Sequence, residues 1–154
     1  MIKKMKTIHV NNDNDYATPP EFYHKLNKRF DFDFDPCPYM HDVKKWDGLK
    51  ISWGYKNYIN PPYSKKLKEL FVIKAIKESK KEKLCVMLLP VSTSTKLFHY
   101  YIKPNATEIE FIEGRIKFGK LDENGNFYMP LNSKGKNQSG TKDSMIVIFD
   151  GRKK

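Results

Sequence analysis

Three short stretches of this sequence end directly before a proline, and this punctuation constrains the fold more than any other feature. They are FDFDFD before Pro36, YKNYIN before Pro61 and LCVMLL before Pro90. Proline has no N–H to donate to a sheet and fixes its own φ, so we expect each stretch to be a short β-strand with a defined end. The first stretch alternates acid and phenylalanine with the period of a strand, and Asp35 is its predicted last residue.

Helical patterns separate these predicted strands. Residues 18–30 open with a capping box in which Thr18 is the N-cap and Pro19 the first helical residue, and apolar side chains then recur at helical spacing. Residues 65–83 carry apolar side chains among eight lysines, which is typical of an amphipathic helix with a solvated basic face. A third helical pattern follows the LCVMLL stretch and is expected to end at Pro104.

The alternation of strands and helices predicts the fold class. Two further apolar runs, EIEFI and MIVIF, complete the set of predicted strands. This order favours an α/β domain with a mostly parallel sheet and helices on both faces. We expect one domain over residues 1–154, with residues 1–14 flexible and residues 119–143 forming a mobile loop or hairpin. Ligands bind beyond the carboxyl ends of strands in such sheets, where Asp35 and Asn60 are both predicted to lie.

The charge of the chain indicates the kind of partner. Lys and Arg number 29 against 18 Asp and Glu, a net charge of +11, which favours a polyanionic partner over a surface that is merely basic and soluble. The two cysteines, Cys37 and Cys85, match no zinc spacing and no disulfide framework, so a reduced cytoplasmic setting is expected. No apolar run is long enough for a signal peptide core or a membrane span, so neither secretion nor membrane insertion is predicted.

The sequence Asn60-Pro61-Pro62-Tyr63 carries the clearest chemical signal. At a strand end, the Asn60 amide oxygen and the Pro61 carbonyl are two hydrogen-bond acceptors that suit a planar NH2 group. Accepting from both N–H groups would free the nitrogen lone pair to attack, while Tyr63 would stack on the planar group. The tetrapeptide holds no electrophile, so we expect a sulfonium methyl donor and no metal. The alternative is a plain proline turn between a strand and a helix.

With these motifs in order, the chain resembles the bacteriophage-type DNA N6-adenine methyltransferases. The likeness covers about residues 15–150 and is carried by YATPPEF, FDFDPCP, WDGL, NPPYS, LLPVSTSTKLFH, EFIEGRIKF and SMIVIF. The resemblance implies a Rossmann-like fold, S-adenosylmethionine as cofactor and methyl transfer to N6 of adenine in double-stranded DNA, with the target base flipped out of the helix. It also implies the cytoplasm of a bacterial host if the chain is phage-encoded. No motif favours a monomer or a dimer.

The same resemblance implies a set of cofactor-binding residues. The residues that match the family's cofactor-binding segments are Tyr16, Thr18, Pro19, Asp35, Pro36, Cys37 and Asp47. Thr18 could equally serve as a helix cap, and Asp35 as a turn cap. The glycines usual in the strand-end loop are missing from residues 35–39, so binding there should differ in detail.

The segment between the two strand ends is short. Only residues 36–59 separate Asp35 from Asn60, too few for two full βα units, so we expect an abridged sheet. Asp42 is a weak candidate for the ribose hydroxyls. Trp46 and Trp53 are candidates to cover the cofactor, with core packing as the alternative for at least one of them.

The resemblance also implies catalytic and nucleic-acid-binding residues. Asn60, Pro61, Pro62 and Tyr63 match the catalytic tetrapeptide. Residues of types that reach phosphates or bases are then assigned to nucleic-acid binding: Tyr63, Ser64, Lys65, Arg115, Lys134 and Lys136. Arg115 could instead pair with a carboxylate.

Two other functions stay open at this stage. The same chemistry could act on another planar amine, such as adenine in RNA, N4 of cytosine or a glutamine amide. A domain of another class would bind nucleic acid without catalysis after losing its cofactor, and the missing glycines at residues 35–39 favour that possibility.

Overall fold

A four-stranded mixed sheet with helices on both faces forms the centre of the structure. The computed structural model describes residues 16–62, 64–131, 134 and 142–153. None of the helices in these ranges is long and apolar enough to cross a membrane. In chain order the elements are α1 (Pro20–Phe30), β1 (Lys56–Ile59), α2 (Lys65–Ser79), β2 (Leu84–Pro90), α3 (π-helical over Leu97–Ile102 and α-helical over Lys103–Asn105), β3 (Glu108–Phe111), β4 (Lys120–Leu121), β5 (Phe127–Tyr128) and β6 (Ser144–Asp150).

The prediction of a mostly parallel sheet is wrong, because the sheet is mixed. Its strand order is β1-β2-β6-β3, with β1 parallel to β2 and β6 antiparallel to both β2 and β3. It follows that β1, β2 and β3 run in the same direction and β6 alone is reversed. Helices connect the first three strands, whereas the described residues between β3 and β6 contain no helix. A parallel connection needs a crossover of that kind, so β6 pairs antiparallel instead.

The two faces of β2 pack against different helices, as predicted. Cys85, Met87 and Leu89 belong to the core cluster that includes the apolar side chains of α2 and α3. Leu84, Val86 and Leu88 lie on the other face, in a cluster with Leu26 of α1. All seven residues of β2 are buried, which explains why its sequence is continuously apolar rather than alternating.

The predicted capping box at the start of α1 is wrong. The helix begins at Pro20, Pro19 occupies the N-cap position with ψ 133°, and no side chain caps the first turn. A residue that precedes proline is disfavoured in the helical region, so Pro20 prevents Pro19 from joining the helix. The Thr18 hydroxyl does not cap the helix, and it bonds instead to residues that are distant in the chain.

The FDFDFD stretch forms less strand than its alternation predicts. Only Phe34 pairs, through an isolated parallel bridge to Asn57 of β1. The carboxylate of Asp33 accepts hydrogen bonds from the backbone N–H groups of Tyr55 and Lys56, both at 3.0 Å. The Asp33 side chain therefore binds two backbone N–H groups that a longer pairing of strands would have used. The single paired residue, Phe34, directly precedes Asp35, the predicted last residue of the strand.

A buried carboxylate anchors the loop that precedes β1. Glu78 in α2 is 0% exposed, and it accepts hydrogen bonds from the backbone N–H of Trp53 at 2.7 Å and from Lys81 and Lys83 at 2.8 Å. Lys74 lies 3.4 Å away. Burial by itself would raise the pKa of Glu78, but these hydrogen bonds and the charge of Lys74 lower it to about 2. The ionised carboxylate thus ties the loop to α2.

Replacing this carboxylate should destabilise the fold in a pH-dependent way. We expect Glu78→Gln to lower the free energy of unfolding by about 3 kcal/mol at pH 7, because it leaves the ammonium groups of Lys74, Lys81 and Lys83 without the buried carboxylate that balances their charge. Since the folded pKa is depressed from 4.5, the difference from wild type should be full above pH 4.5 and vanish as the pH falls towards 2. Urea unfolding at several pH values measures this difference.

Glu82→Gln is the matched control for that experiment. Glu82 forms a salt bridge with Lys153 in which the two side chains are 56% and 83% exposed. Its loss should cost under about 1 kcal/mol. Equal destabilisation by the two substitutions would contradict the anchoring role of Glu78.

Candidate active site

The carboxyl ends of two neighbouring chain segments meet at one cavity. The bridge between Phe34 and Asn57 runs parallel, so Asp35 and Asn60 both lie just beyond paired residues at the same edge of the sheet. Both side chains line a cavity of about 260 Å³. The predicted proximity of Asp35 and Asn60 is therefore confirmed. The residues lining this cavity are Tyr16, Ala17, Thr18, Pro20, Tyr23, His24, Asp35, Cys37, Tyr39, Tyr58, Asn60 and Leu121.

The Asn60 side chain is fixed with its nitrogen turned towards the protein. Nδ2 of Asn60 donates to the backbone carbonyl of Tyr16 at 3.3 Å and to Oγ1 of Thr18 at 3.2 Å. A carbonyl can only accept, so the amide nitrogen, not the oxygen, must face Tyr16. Oδ1 of Asn60 is buried and has no hydrogen-bond partner in the described part of the chain. Such an atom is costly unless a ligand satisfies it.

Two other buried side-chain oxygens also have no hydrogen-bond partner among the described residues, but their residues do not line the cavity. Oδ1 of Asn57 is one of them, and that side chain is fully buried, with its Nδ2 donating to Gly54 and Leu84 carbonyls inside the protein. The other is Oδ2 of Asp42, whose second oxygen accepts from the backbone N–H of Lys44 at 3.0 Å. Among these three, only Asn60 combines the unpartnered oxygen with a place on the cavity wall.

A chain of side chains connects Asn60 to helix α1. The hydroxyl oxygens of Thr18 and Tyr58 are 2.6 Å apart and share a hydrogen bond. The ring of Tyr58 packs edge-on against Tyr23 of α1, with centroids 5.0 Å apart. Thr18 thus does not serve as a helix cap, and its hydroxyl connects the segment that begins at Asn60 to the first helix through Tyr58.

Asp35 both caps its own turn and contributes charge to the cavity. Its Oδ1 accepts from the backbone N–H of Cys37 at 2.9 Å, and the Cys37 thiol donates to the backbone carbonyl of Asn60 at 3.4 Å. Burial, with a smaller contribution from the Asp35 carboxylate, raises the pKa of the Tyr23 phenol. The two strand-end segments are thereby connected, and the negative charge of Asp35 reaches the tyrosine wall.

Some predicted cofactor residues do not line this cavity. Pro19, Pro36 and Asp47 are described but are not among the lining residues. Oδ1 of Asp47 accepts from the backbone N–H of Leu49 at 2.9 Å, which closes a local turn. A Cβ at the next residue, Gly48, would overlap the carbonyl oxygen of Pro36, so this turn packs tightly on the strand-end loop.

The two tryptophans have structural partners. Trp53 is 5% exposed, belongs to the core and donates from Nε1 to the carbonyl of Gly48 at 2.7 Å. Core packing is therefore the correct interpretation for Trp53. Trp46 packs on His41, with ring centroids 4.2 Å apart, and is half-buried.

The predicted nucleic-acid residues are dispersed. Ser64 is the N-cap of α2 and accepts from the N–H of Leu67 at 3.4 Å. Arg115 pairs with Asp143 at 3.2 Å, which is the alternative that its sequence position left open. Lys134 is exposed, and Lys65 lines a second cavity considered below. Tyr63 and Lys136, two further predicted residues, lie outside the described residues.

Sequence analysis missed the aromatic wall of the cavity. Tyr23, Tyr39 and Tyr58 all line it. Of these three, only Tyr23 belongs to a sequence pattern, the helical spacing of apolar residues in α1. A signal for Tyr58 was present, because residues 58 and 60 lie on the same side of an extended chain. No comparable periodicity indicates Tyr39, which lies in an irregular turn.

The electrostatics of the cavity differ from those of the whole chain. In a protein of net charge +11, the cavity brings together the carboxylate of Asp35 and four tyrosine rings. A carboxylate and aromatic faces both attract cations. The ammonium group of Lys120 already lies over the Tyr16 ring, 4.8 Å from its centroid. Asp35 and the other tyrosines could attract a positively charged ligand, beside the Asn60 oxygen that can accept a hydrogen bond.

Fold and cavity together describe an α/β protein with a cavity at the carboxyl edge of its sheet. The family model for DNA N-6-adenine-methyltransferase (Dam) matches residues 5–154, and the chain belongs to this family. A comparison with curated proteins finds no match. Family membership implies DNA adenine methylation as the general activity and DNA as the substrate, and methyltransferases of such families generally use S-adenosylmethionine.

Removing the Thr18 hydroxyl should loosen the Asn60 side chain. We expect Thr18→Val, which keeps the shape of threonine, to lower the free energy of unfolding by about 1 kcal/mol, because one hydroxyl serves both Tyr58 and Asn60. Thr18→Ser keeps the hydroxyl and should remain within about 0.5 kcal/mol of wild type. Thermal unfolding compares the two variants, and equal stability of both would contradict the bonding role of Thr18.

Proposed function

We propose that this protein transfers a methyl group from S-adenosylmethionine to N6 of adenine in double-stranded DNA. The observation that carries the proposal is the Asn60 side chain, whose nitrogen is held by Tyr16 and Thr18 while its buried oxygen has no hydrogen-bond partner among the described residues. That oxygen can accept a hydrogen bond from an amine, and an NH2 group supplies such a donor. The family match supplies the base and the nucleic acid.

The residues of the smaller cavity fit S-adenosylmethionine. Its ammonium group suits the Asp35 carboxylate, and its sulfonium and adenine suit the tyrosine rings. The cavity of about 260 Å³ lies just under the roughly 300 Å³ at which ligand pockets begin, so it would enclose part of a ligand of this size. Tyr16, Thr18 and Cys37 complete this wall in the proposal. Pro19, Pro36 and Asp47, which do not line the cavity, are proposed to contact the remainder of the cofactor.

The bound cofactor would supply an electrophilic methyl group, and the chain would supply orientation. Oδ1 of Asn60 and the carbonyl of Pro61 would accept hydrogen bonds from the two N–H groups of the target amine, which frees the nitrogen lone pair. Pro61 and Pro62 are buried and rigid, so these acceptors would be held without a reorganisation cost at the moment of reaction. Tyr63 is proposed to stack on the base. Alignment of this kind can contribute about 7–11 kcal/mol to the barrier reduction.

The target adenine would have to leave the duplex to reach Asn60. Because its amine is paired inside the helix, we propose base flipping, with the basic surface holding the strand. Ser64, Lys65, Arg115, Lys134 and Lys136 are the residues proposed to contact nucleic acid. The fold in this proposal is an abridged Rossmann-like methyltransferase domain, a description favoured by the three strands that run in one direction with helical connections.

Truncating Asn60 tests the proposed reaction directly. We expect Asn60→Ala to reduce transfer of a labelled methyl group to adenine in duplex DNA by about 10²–10³-fold, the usual loss for one preorganised polar group at a reacting centre. Asn105→Ala is the control, since Asn105 is exposed and its amide bonds only locally to the Tyr101 carbonyl. Unchanged transfer in Asn60→Ala, or transfer to cytosine or RNA only, would contradict the proposal.

Removing the charge of Asp35 tests the proposed cofactor site. We expect Asp35→Asn to weaken S-adenosylmethionine binding by about tenfold in calorimetry, because the amide keeps the turn but loses the charge-assisted hydrogen bond. Asp31→Asn is the control, because the Asp31 side chain is 90% exposed and does not line the cavity, so it should change affinity by less than threefold. An equal loss in Asp31→Asn and Asp35→Asn would contradict a cofactor contact of Asp35 in this cavity.

A further inference from the structure

A second and larger cavity lies between α2, the end of β2 and α3. Its volume is about 660 Å³, within the range of nucleotide-sized pockets, and it shares no lining residue with the smaller cavity. Its apolar side chains are Leu89, Leu97, Phe98, Ile102 and Met145. Its charged side chains are Lys65, Lys68, Lys96, Lys142 and a single acid, Glu69. The cavity therefore combines an apolar lining with a marked excess of positive charge.

The fold itself does not explain these lysines. No salt bridge joins Lys65, Lys68, Lys96 or Lys142 to a carboxylate in the part of the chain that the structure describes. Lys65 and Lys68 stand in the first turn of α2, which contains no acidic residue. Cations are unfavourable at that end of a helix because of its dipole. Lys65 and Lys68 thus stand where helix stability would favour acidic residues.

Of these four lysines, Lys68 is the one whose charged form is most disfavoured by its surroundings. Burial lowers its pKa, and the charges of Lys142 and Lys65 lower it further, while Glu69 opposes them. Like charges gathered at a partly buried position are stabilised by a bound anion. The group that would relieve the crowding is one that offers several oxygens to several ammonium groups, as a phosphate does.

We propose that this cavity binds a nucleotide of the substrate DNA strand, with a backbone phosphate held by Lys65, Lys68, Lys96 and Lys142 and the adjoining sugar or base on the apolar lining. The inference rests on the proposed function and extends it to a separate contact. Lys65 follows Asn60 by five residues in the chain and begins α2, so the phosphate would flank the target nucleotide. Four lysines that form no salt bridge with the described carboxylates give this contact an electrostatic, salt-sensitive character.

Charge-matched double variants test the proposal. Lys68→Gln with Lys96→Gln removes two charges from the cavity, and Lys77→Gln with Lys80→Gln removes two from exposed positions at the other end of α2. Fluorescence anisotropy with a labelled duplex measures affinity over a salt series. We expect the cavity variant to bind about tenfold more weakly at 0.1 M salt, with a salt slope lower by about 1 to 2, and the control to stay within about twofold of wild type.

Two further measurements decide the source of the phosphate and guard against misfolding. Lys68→Arg with Lys96→Arg keeps the charge and should retain most of the affinity, with an unchanged circular dichroism spectrum in every variant. The cavity is a DNA-backbone site if millimolar dAMP competes poorly with the duplex. If the cavity variant loses dAMP binding but keeps wild-type affinity for DNA, the site takes free nucleotides and the proposal is overturned. Equal loss of DNA affinity in the cavity variant and the control also overturns it.

The failure of this inference can be distinguished from failure of the proposed function. If Asn60→Ala abolishes methyl transfer while Lys68→Gln with Lys96→Gln leaves DNA affinity and salt slope at wild-type values, the function stands and the phosphate site is overturned. If the cavity variant loses DNA affinity but the wild-type protein methylates no adenine, the phosphate site is supported and the proposed reaction is wrong.

Discussion

Parallel alignment of three chain segments is the constraint on which both cavities depend. The bridge at Phe34 and the ladder between β1 and β2 place the ends of these segments along one edge of the sheet. Asp35, Asn60 and Pro90 stand at or just beyond these ends, each at a proline-terminated stretch. The smaller cavity forms between the first two ends, and Pro90 lines the larger one. Pro36 and Pro61 have no N–H group to donate to a ladder, so side chains and carbonyls beside them are available to ligands.

The two cavities carry opposite electrostatic character although they lie at the same sheet edge. The smaller one joins a carboxylate to tyrosine rings, and the larger one joins four lysines to an apolar lining. The tetrapeptide that begins at Asn60 separates them in the chain, since its first residue lines one cavity and Lys65 lines the other. In the proposed reaction, a cationic methyl donor would be attracted to the smaller cavity and a polyanionic substrate to the larger one, so the reacting groups would meet between them.

The sequence predicts those parts of the fold that local patterns determine. The prolines locate the ends of β1 and β2, the continuous apolar run of β2 indicates burial on both faces, and the position of Asp35 next to Asn60 follows from parallel pairing. The described residues between β3 and the reversed strand β6 contain no helix, and the sequence of residues 112–143 gives no periodic signal of that reversal.

Thr18 illustrates the limit of local patterns most clearly. Its spacing to Glu21 matches a capping box, yet the hydroxyl bonds to Tyr58 and Asn60, which are 40 and 42 residues away. Local spacing does not show whether a hydroxyl caps its own helix or bonds to partners that are distant in the chain. Pro20 decided the outcome, because it delays the helix by one residue and leaves the hydroxyl available.

The irregular segment between Asp35 and β1 shows how a shortened sheet can keep a defined site. No helix or strand occurs in residues 36–55, and all of these residues are described. Close contact of Gly48 with Pro36 and the bonds of Trp53 to Gly48 and Glu78 hold the segment instead. These contacts keep the turn at Asp35 on the cavity wall, although the strand-end loop contains no glycine. The absence of those glycines is therefore weak support for a domain that has lost its cofactor, since backbone approach to a ligand is one way to build such a site and a carboxylate beside aromatic rings is another.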